Sequence, residues 1–424
     1  MKIVDKIRSK LFDIDISVMS LFVFSVLGSI VNYAFQLVLG NILATSDYGD
    51  FNTINSLSSN LMCFYSPLAV YACRVTAENQ SNMFSNRLIY QRIFAFSLLI
   101  SFIIMILGGG FFILVPQIRF GAKTFLLWVL VLVMTVVAGI YTVLNGVLQG
   151  SGQLGWYGFL GFWLVVIKMG GSYAGVHFGG QVPAVVWAML LSYVVVIGCI
   201  FVVICRIIRH QCRDSRIKSA IGYREILQLY GLTFFIQMLI SLYINGGEII
   251  LMNCFYGNEA VGLYSLAANV AKIGMYVLSI FTSALLPSVS LDWGSGVCIK
   301  RKFHMVMAFA FGIGGVWFLL LSTIGRKLAL IFLGKRYYEA LSGINYMALW
   351  IIGLGMLLVV NTFYLAVNRL KVFLTVLMIV TGGIVGYVAI SGIKITYVPI
   401  VIGVGIHIIL LFSLVDINRV VNPN

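Results

Sequence analysis

The chain has 424 residues, is 61% hydrophobic and only 10% charged, and its mean hydropathy is +1.04. So little charge over such a length excludes a soluble domain, and continuous apolar runs exclude a transmembrane β-barrel, whose strands read as short alternating segments. The net charge of +15 would suggest nucleic acid in a soluble protein, but here it reports topology, because cytoplasmic loops concentrate Lys and Arg.

Apolar runs of about 20 residues, each long enough to cross a bilayer as a helix, recur from end to end. The expected fold class is therefore all-α: a polytopic membrane protein of twelve helices in two pseudo-symmetric bundles of six. The N-terminal stretch MKIVDKIRSKLFDIDIS places basic residues before the first run. That run is longer than a signal h-region and has no small-residue cleavage site, so it reads as a retained helix. Span one (17–40) carries Ser25, Ser29, Asn32 and Gln36 on one face, since steps of 3 and 4 stay on one side of a helix. DYGDF (47–51) follows as a loop. Span two (52–77) aligns Asn52, Asn55, Ser59 and Ser66, and ends at Arg74 and Glu78, which read as an interfacial ion pair or as a mouth for substrate. Spans three and four are 93–115 and 124–148. Span five (156–177) holds Lys168 in an otherwise oily stretch, FWLVVIKMGGSY. Its amine is tolerable if water reaches it or if it climbs past Ser172 toward the interface. Span six is 183–205, and the basic loop RIIRHQCRDSRIKSAIGYRE follows.

Span seven (226–252) aligns Tyr230, Gln237, Ser241, Asn245 and Glu248, and its Asn-Gly-Gly-Glu run is expected to loosen the helix locally. Span eight (260–287, its first residues AVGLY read as the loop counterpart of DYGDF) has the cleanest stripe: Ser265, Asn269, Lys272, Tyr276, Ser279 and Ser283. Lys272 lies about 12 residues, or about 18 Å, from the outer end of its span. A cation at that depth costs roughly 3 kcal/mol on insertion scales. Glu248 is the nearest protein partner, yet it sits close to the outer end of span seven, which leaves their meeting open. Spans nine to twelve are 303–325, 340–366, 373–392 and 397–415.

Of the 28 Lys and Arg, 19 fall on one side of these spans and 7 on the other, with Lys168 and Lys272 within them. The bias sets both termini on the cytoplasmic side. Gly49 and Gly262 are 213 residues apart, as are Gly121 and Gly334, while Pro183 and Pro399 are 216 apart. Each pair sits at an equivalent place, which points to an internal duplication. The expected domains are thus an N-terminal six-helix bundle (1–205), a cytoplasmic basic linker (206–225) and a C-terminal six-helix bundle (226–424), related by an axis along the membrane normal. The polar faces of spans one, two, seven and eight, equivalent in the repeat, either wall a hydrated cleft or serve as interhelical glue. The candidate substrate contacts are Lys272, Asn269, Tyr276, Gln237, Asn245, Glu248, Asn32, Gln36, Asn55, Lys168 and Arg74. The seven cysteines read as small core residues, the four histidines show no metal-ligand spacing, and no Walker-type GxxxxGK[ST] occurs. No cofactor or metal is expected.

DYGDFNTIN after span one resembles the "edYGlf" signature of polysaccharide export flippases. NEAVGLYSLAANVAKIGMYVLSIFTSALLPSVS resembles their second signature, and FLGKRYYEA and YTVLNGVLQGSGQLGW also fit. The resemblance runs over nearly the whole chain and is best to the O-antigen flippases (Wzx-type) of the multidrug/oligosaccharidyl-lipid/polysaccharide superfamily. It implies two six-helix bundles in a V, moving undecaprenyl-pyrophosphate-linked oligosaccharide across a bacterial inner membrane, with other polysaccharide-assembly membrane proteins as partners and no nucleic acid. It also implies several cations in the central cavity. This chain offers only Lys272 and Lys168, with Arg74 near the mouth. Two other readings compete. A cation-coupled small-molecule antiporter of the same fold class would use carboxylates in the first half, where spans one to six hold none at mid-membrane. A membrane glycan polymerase or ligase would need a sizeable outer loop, and the outer loops are short.

Overall fold

The computed structural model describes residues 16–78, 87–114, 124–210, 232–272, 274, 275, 278, 289, 299–325, 327, 344–367 and 370–421. Among them no strand occurs, and the long elements are helices: α1 (Ile16–Ile42), α2 (Thr45–Leu61), α3 (Ser66–Glu78), α4 (Arg87–Leu114), α5 (Thr124–Gly150), α6 (Leu154–His177), α7 (Val182–His210), α8 (Leu232–Ile244), α9 (Gly247–Phe255), α10 (Asn258–Ala271), α11 (Lys300–Leu320), α12 (Ile344–Val367), α13 (Leu370–Ser391) and α14 (Val398–Val421). Lipid offers no partner for backbone polar groups, so a spanning chain that is not a closed barrel must satisfy them within helices. Nine of the described helices are long and apolar enough to cross a membrane, and the bent pair α8–α9 has the length and composition of a tenth span, broken, or of a re-entrant loop. Of the two further expected spans, the second is covered by α2 and α3, joined by a 3₁₀ turn at Met62–Phe64, and α10 covers the opening of the eighth, most of whose remainder lies outside the described residues. The chain is a helical polytopic membrane protein.

Two expected loops are helix instead. DYGDF lies in the opening turns of α2 and AVGLY in those of α10. Both helices start on a turn that carries an acid, Asp47 in one and Glu259 in the other, which complements the positive end of the helix dipole.

Contacts divide the chain into two compact units. One comprises Met1–Val38, Leu61–Leu114 and Phe125–Tyr230; the other comprises Leu39–Asn60, Val115–Thr124 and Gly231–Asn424. In the first unit, α6 and α7 form an antiparallel hairpin. Gly179, at φ +84°, ends α6: the Gly179 N–H donates to the Val176 carbonyl and the Gly180 N–H to that of Gly175, a Schellman cap that needs a left-handed residue. Leu148, Leu160, Val196 and Ile200 form a core cluster between α5, α6 and α7. In the same unit Gly139, Gly146 and Gly150 on α5 lie directly against Tyr65, Ala69 and Cys73, so a Cβ at Gly146 would strike the Ala69 carbonyl.

In the second unit, α11, α12 and α14 pack together around the fully buried Trp350. Trp317 of α11 ties to α10 by donating its Nε1–H to the Ala271 carbonyl at 2.8 Å. Gly49 of α2 and Gly262 of α10, paired by the expected repeat, abut one another. A Cβ on Gly49 would collide with the Asn258 carbonyl, and one on Gly262 with that of Thr45. Large apolar side chains such as Phe102, Ile106, Ile379 and Leu411 are exposed on the spans, as lipid-facing surface requires.

Candidate functional site

The structure separates the two mid-span lysines by environment. Lys168 belongs to the first unit, where α1 and α6 approach closely because small residues line the crossing. A Cβ at Gly158 would lie 3.0 Å from the Leu21 Cα, and Gly28 faces the Phe162 Cα. That approach lets the Lys168 amine donate to the Asn32 Oδ1 at 2.8 Å and lie 4.5 Å from the Phe35 ring centroid. The amine therefore does not climb past Ser172, whose side chain is itself fully buried; it turns sideways onto α1. An amide oxygen and an aromatic face both favour a cation, but neither neutralises it. No Asp or Glu occurs between Glu78 and Asp214, and among the described residues of this unit no carboxylate pairs with Lys168. Gln36 lies one turn along α1 from Asn32, half-buried.

Lys272 belongs to the second unit and is neutralised. Its Nζ donates to the Glu248 Oε1 at 2.7 Å, with the two side chains 5% and 2% exposed, and lies 5.3 Å from the Trp350 ring centroid. The meeting left open by counting along the sequence thus takes place. The expected weakness at Asn-Gly-Gly is a break. Gly246 has φ +79°, where glycine is tolerated and other residues are strained, and the axis turns by 66° between the apolar segments Phe234–Ile244 and Gly247–Phe255. Glu248 falls in the first turn of the short helix α9, which pairs with α10 through the turn at Tyr256 and Gly257. Lys272 lies farther from that turn than Glu248, by about 10 Å at 1.5 Å per residue. Side chains lean toward the N-terminus of their own helix, so Lys272 leans toward the turn and Glu248 away from it, and the offset closes. The Glu248 Oε2 and the Tyr264 hydroxyl remain buried without a partner.

The polar stripes of α2, α8 and α10 meet one another within the second unit. The Asn269 Nδ2 donates to the Asn52 Oδ1 at 3.1 Å and to the Tyr48 hydroxyl at 3.2 Å. The Asn258 Nδ2 donates to the Asp50 Oδ1 at 2.7 Å. The Asn60 Nδ2 reaches the Asn245 carbonyl at 3.2 Å, and the Asn245 Nδ2 donates to the Ser241 Oγ at 2.8 Å. These contacts are interhelical and local hydrogen bonds of the kind that join helices in lipid. Asn55 and Gln237 are half-buried on α2 and α8. Tyr276 lies outside the described residues, as does 211–225 of the basic linker, and of Arg74 only the backbone, in α3, is described.

Sequence reading missed a cavity of about 550 Å³ in the first unit, where α3, α5 and α6 meet. Tyr141, Asn145 and Gln149 reach it from α5 at steps of four, and Tyr157 from α6. The helical spacing of those α5 residues is a signal the sequence carries, but alone it does not mark a cavity.

No family model and no curated protein matches the sequence. Solved structures are similar along nearly the whole chain. The lipid II flippase MurJ in an inward closed conformation aligns at TM-score 0.71 and 13% identity, covering 94% of this chain and 87% of that one. An outward-facing MATE multidrug resistance transporter of the MOP superfamily aligns at 0.65 and 16%, covering 96% of each. A MOP superfamily transporter from Pyrococcus furiosus with a binding pocket of reversed polarity aligns at 0.60 and 15%, covering 96% of each. At these identities the likeness is one of fold: the chain has the fold shared by MOP-superfamily transporters and flippases.

Proposed function

We propose that this protein is a flippase that carries an undecaprenyl-pyrophosphate-linked oligosaccharide across a bacterial inner membrane by alternating access, and is not an enzyme. The observation that carries the reading is Lys168. It is a half-buried cation in the middle of a span, held by an amide and a ring and matched by no described carboxylate of its unit. Placing a charge there is costly without an anionic or wet partner, and a pyrophosphate supplies the missing charge. The prenyl tail can stay in lipid while the head group passes. Both termini lie in the cytoplasm on this reading, which follows the bias of Lys and Arg.

The fold suits a cation-coupled antiporter equally well, and that reading needs a membrane carboxylate free to exchange its ion. Among the described residues the carboxylate within a spanning segment that lies deepest from both ends is Glu248, and it is committed to Lys272 at 2.7 Å. This favours the flippase.

The test is deletion of the gene in its own host. Loss of surface glycan with lipid-linked repeat units accumulating inside supports flipping. Unchanged glycan with altered drug sensitivity supports the antiporter and ends the flippase reading.

A further inference from the structure

The cavity between α3, α5 and α6 shares Ser66 with the polar stripe of span two, while the rest of its lining lies outside the stripes of the expected cleft. About 550 Å³ falls within the range of roughly 300–1,000 Å³ typical of small-molecule sites. Its polar lining is Ser66, Tyr141, Thr142, Asn145, Gln149 and Tyr157. Each of these side chains can donate and accept a hydrogen bond, and none is charged. The Asn145 side chain is 9% exposed, and its Oδ1 is buried without a partner. Reversing the amide would exchange an orphan acceptor for an orphan donor, so either orientation leaves one polar atom unmatched. Unmatched buried polar groups are uncommon and call for a ligand or water. The tyrosines give the cavity flat, stiff walls: Tyr141 packs on Tyr193 at a centroid distance of 5.4 Å, and both Tyr141 and Tyr157 lean on the apolar cluster of Leu148 and Leu160. The tight crossing of Gly146 on Ala69 holds the cavity's floor.

A phosphate would find no cation among these residues, and a prenyl tail would leave the Asn145 amide oxygen unmatched. A sugar ring fits both features, because its hydroxyls donate and accept and its C–H faces lie flat on tyrosine. We infer that this cavity is a subsite for a neutral sugar unit of the transported glycan, separate from the cationic point at Lys168. The identity of the ligand rests on the flippase reading; the location of the subsite and the neutrality of its described lining rest on the cavity.

Cys73 also lines the cavity and reports on its occupancy. The experiment uses the full chain in lipid nanodiscs with Cys73 as its single cysteine, and follows the rate of modification by methyl methanethiosulfonate. The probes are short polyprenyl pyrophosphates, either bare or bearing N-acetylglucosamine, galactose or rhamnose. At least one glycosylated probe is expected to slow modification about fivefold or more, and the bare pyrophosphate is not. Asn145→Leu, and independently Gln149→Leu, remove the protection while the thermal midpoint and the unprotected rate stay as before. Equal protection by the bare probe, or none by any sugar-bearing probe, overturns the inference. Those results leave the flippase reading standing if the deletion still strips surface glycan. Protection by sugar with glycan unaffected by deletion would keep the subsite and remove the flippase.

Discussion

Replacing Lys272 by Met removes the charge, keeps most of the stem against Trp350, and leaves Glu248 behind with a side chain only 2% exposed. Two unit charges about 4 Å apart attract by about 4 kcal/mol at an effective dielectric of ~20. Desolvating the two ions costs several kcal/mol each, so the intact pair is close to neutral against an apolar replacement, whereas removing one partner of a buried pair costs about 3–5 kcal/mol. At about 2–4 °C per kcal/mol for a domain of 150–250 residues, Lys272→Met is expected to lower the thermal midpoint by roughly 10 °C. Adding Glu248→Gln should restore most of that loss, giving a coupling of about 2 kcal/mol or more in the double-mutant cycle. The assay is the thermal midpoint of detergent-solubilised protein followed by size-exclusion fluorescence, read beside surface glycan in cells. A single variant within 2 °C of wild type would refute the reasoning, as would a double variant no better than the single. If Lys272 acts through this pair, export recovers in the double variant together with stability; if export stays low while stability returns, Lys272 touches substrate.

Lys168→Gln is expected to reduce surface glycan severalfold at unchanged expression and thermal midpoint, because it removes a charge that no described carboxylate of its unit balances; normal glycan would remove Lys168 from the transport path. Gly28→Ala should be tolerated or slightly stabilising, since its Cβ would meet the Phe162 Cα at an ordinary 3.7 Å and alanine favours helix by about 0.5–1 kcal/mol. Gly49→Ala and Gly262→Ala should each destabilise by more than about 2 kcal/mol through overpacking, and thermal midpoints of the three variants decide it.

The spanning helices were legible because lipid allows few other solutions: a run of twenty apolar residues can satisfy its backbone as a helix. The break at Gly246 was legible for a similar reason, since two adjacent glycines remove the side-chain constraint on φ. The offset of 213 residues found Gly49 and Gly262 but placed them in loops, and a repeat says nothing about whether its copies touch. That required the close approach of α2 and α10. Counting depth along straight spans left the Lys272–Glu248 meeting open because it omitted the bend and the lean of side chains toward helix N-termini. The cavity escaped because Tyr141, Asn145 and Gln149 stand near the end of a long apolar span, where polar residues are ordinary; only convergence with Ser66 and Tyr157 distinguishes them.

The run from Glu78 to Asp214, empty of acids, bears on how the protein is powered. A proton or sodium stroke that works through a carboxylate has nowhere to load within that run, so any such coupling uses a carboxylate outside it. Voltage needs no such group. With the cell interior negative, each elementary charge crossing the bilayer is worth about 2.3 kcal/mol per 100 mV. On the proposed flippase function, a pyrophosphate accompanied by one lysine still carries net negative charge, and its outward passage would run down the electrical gradient.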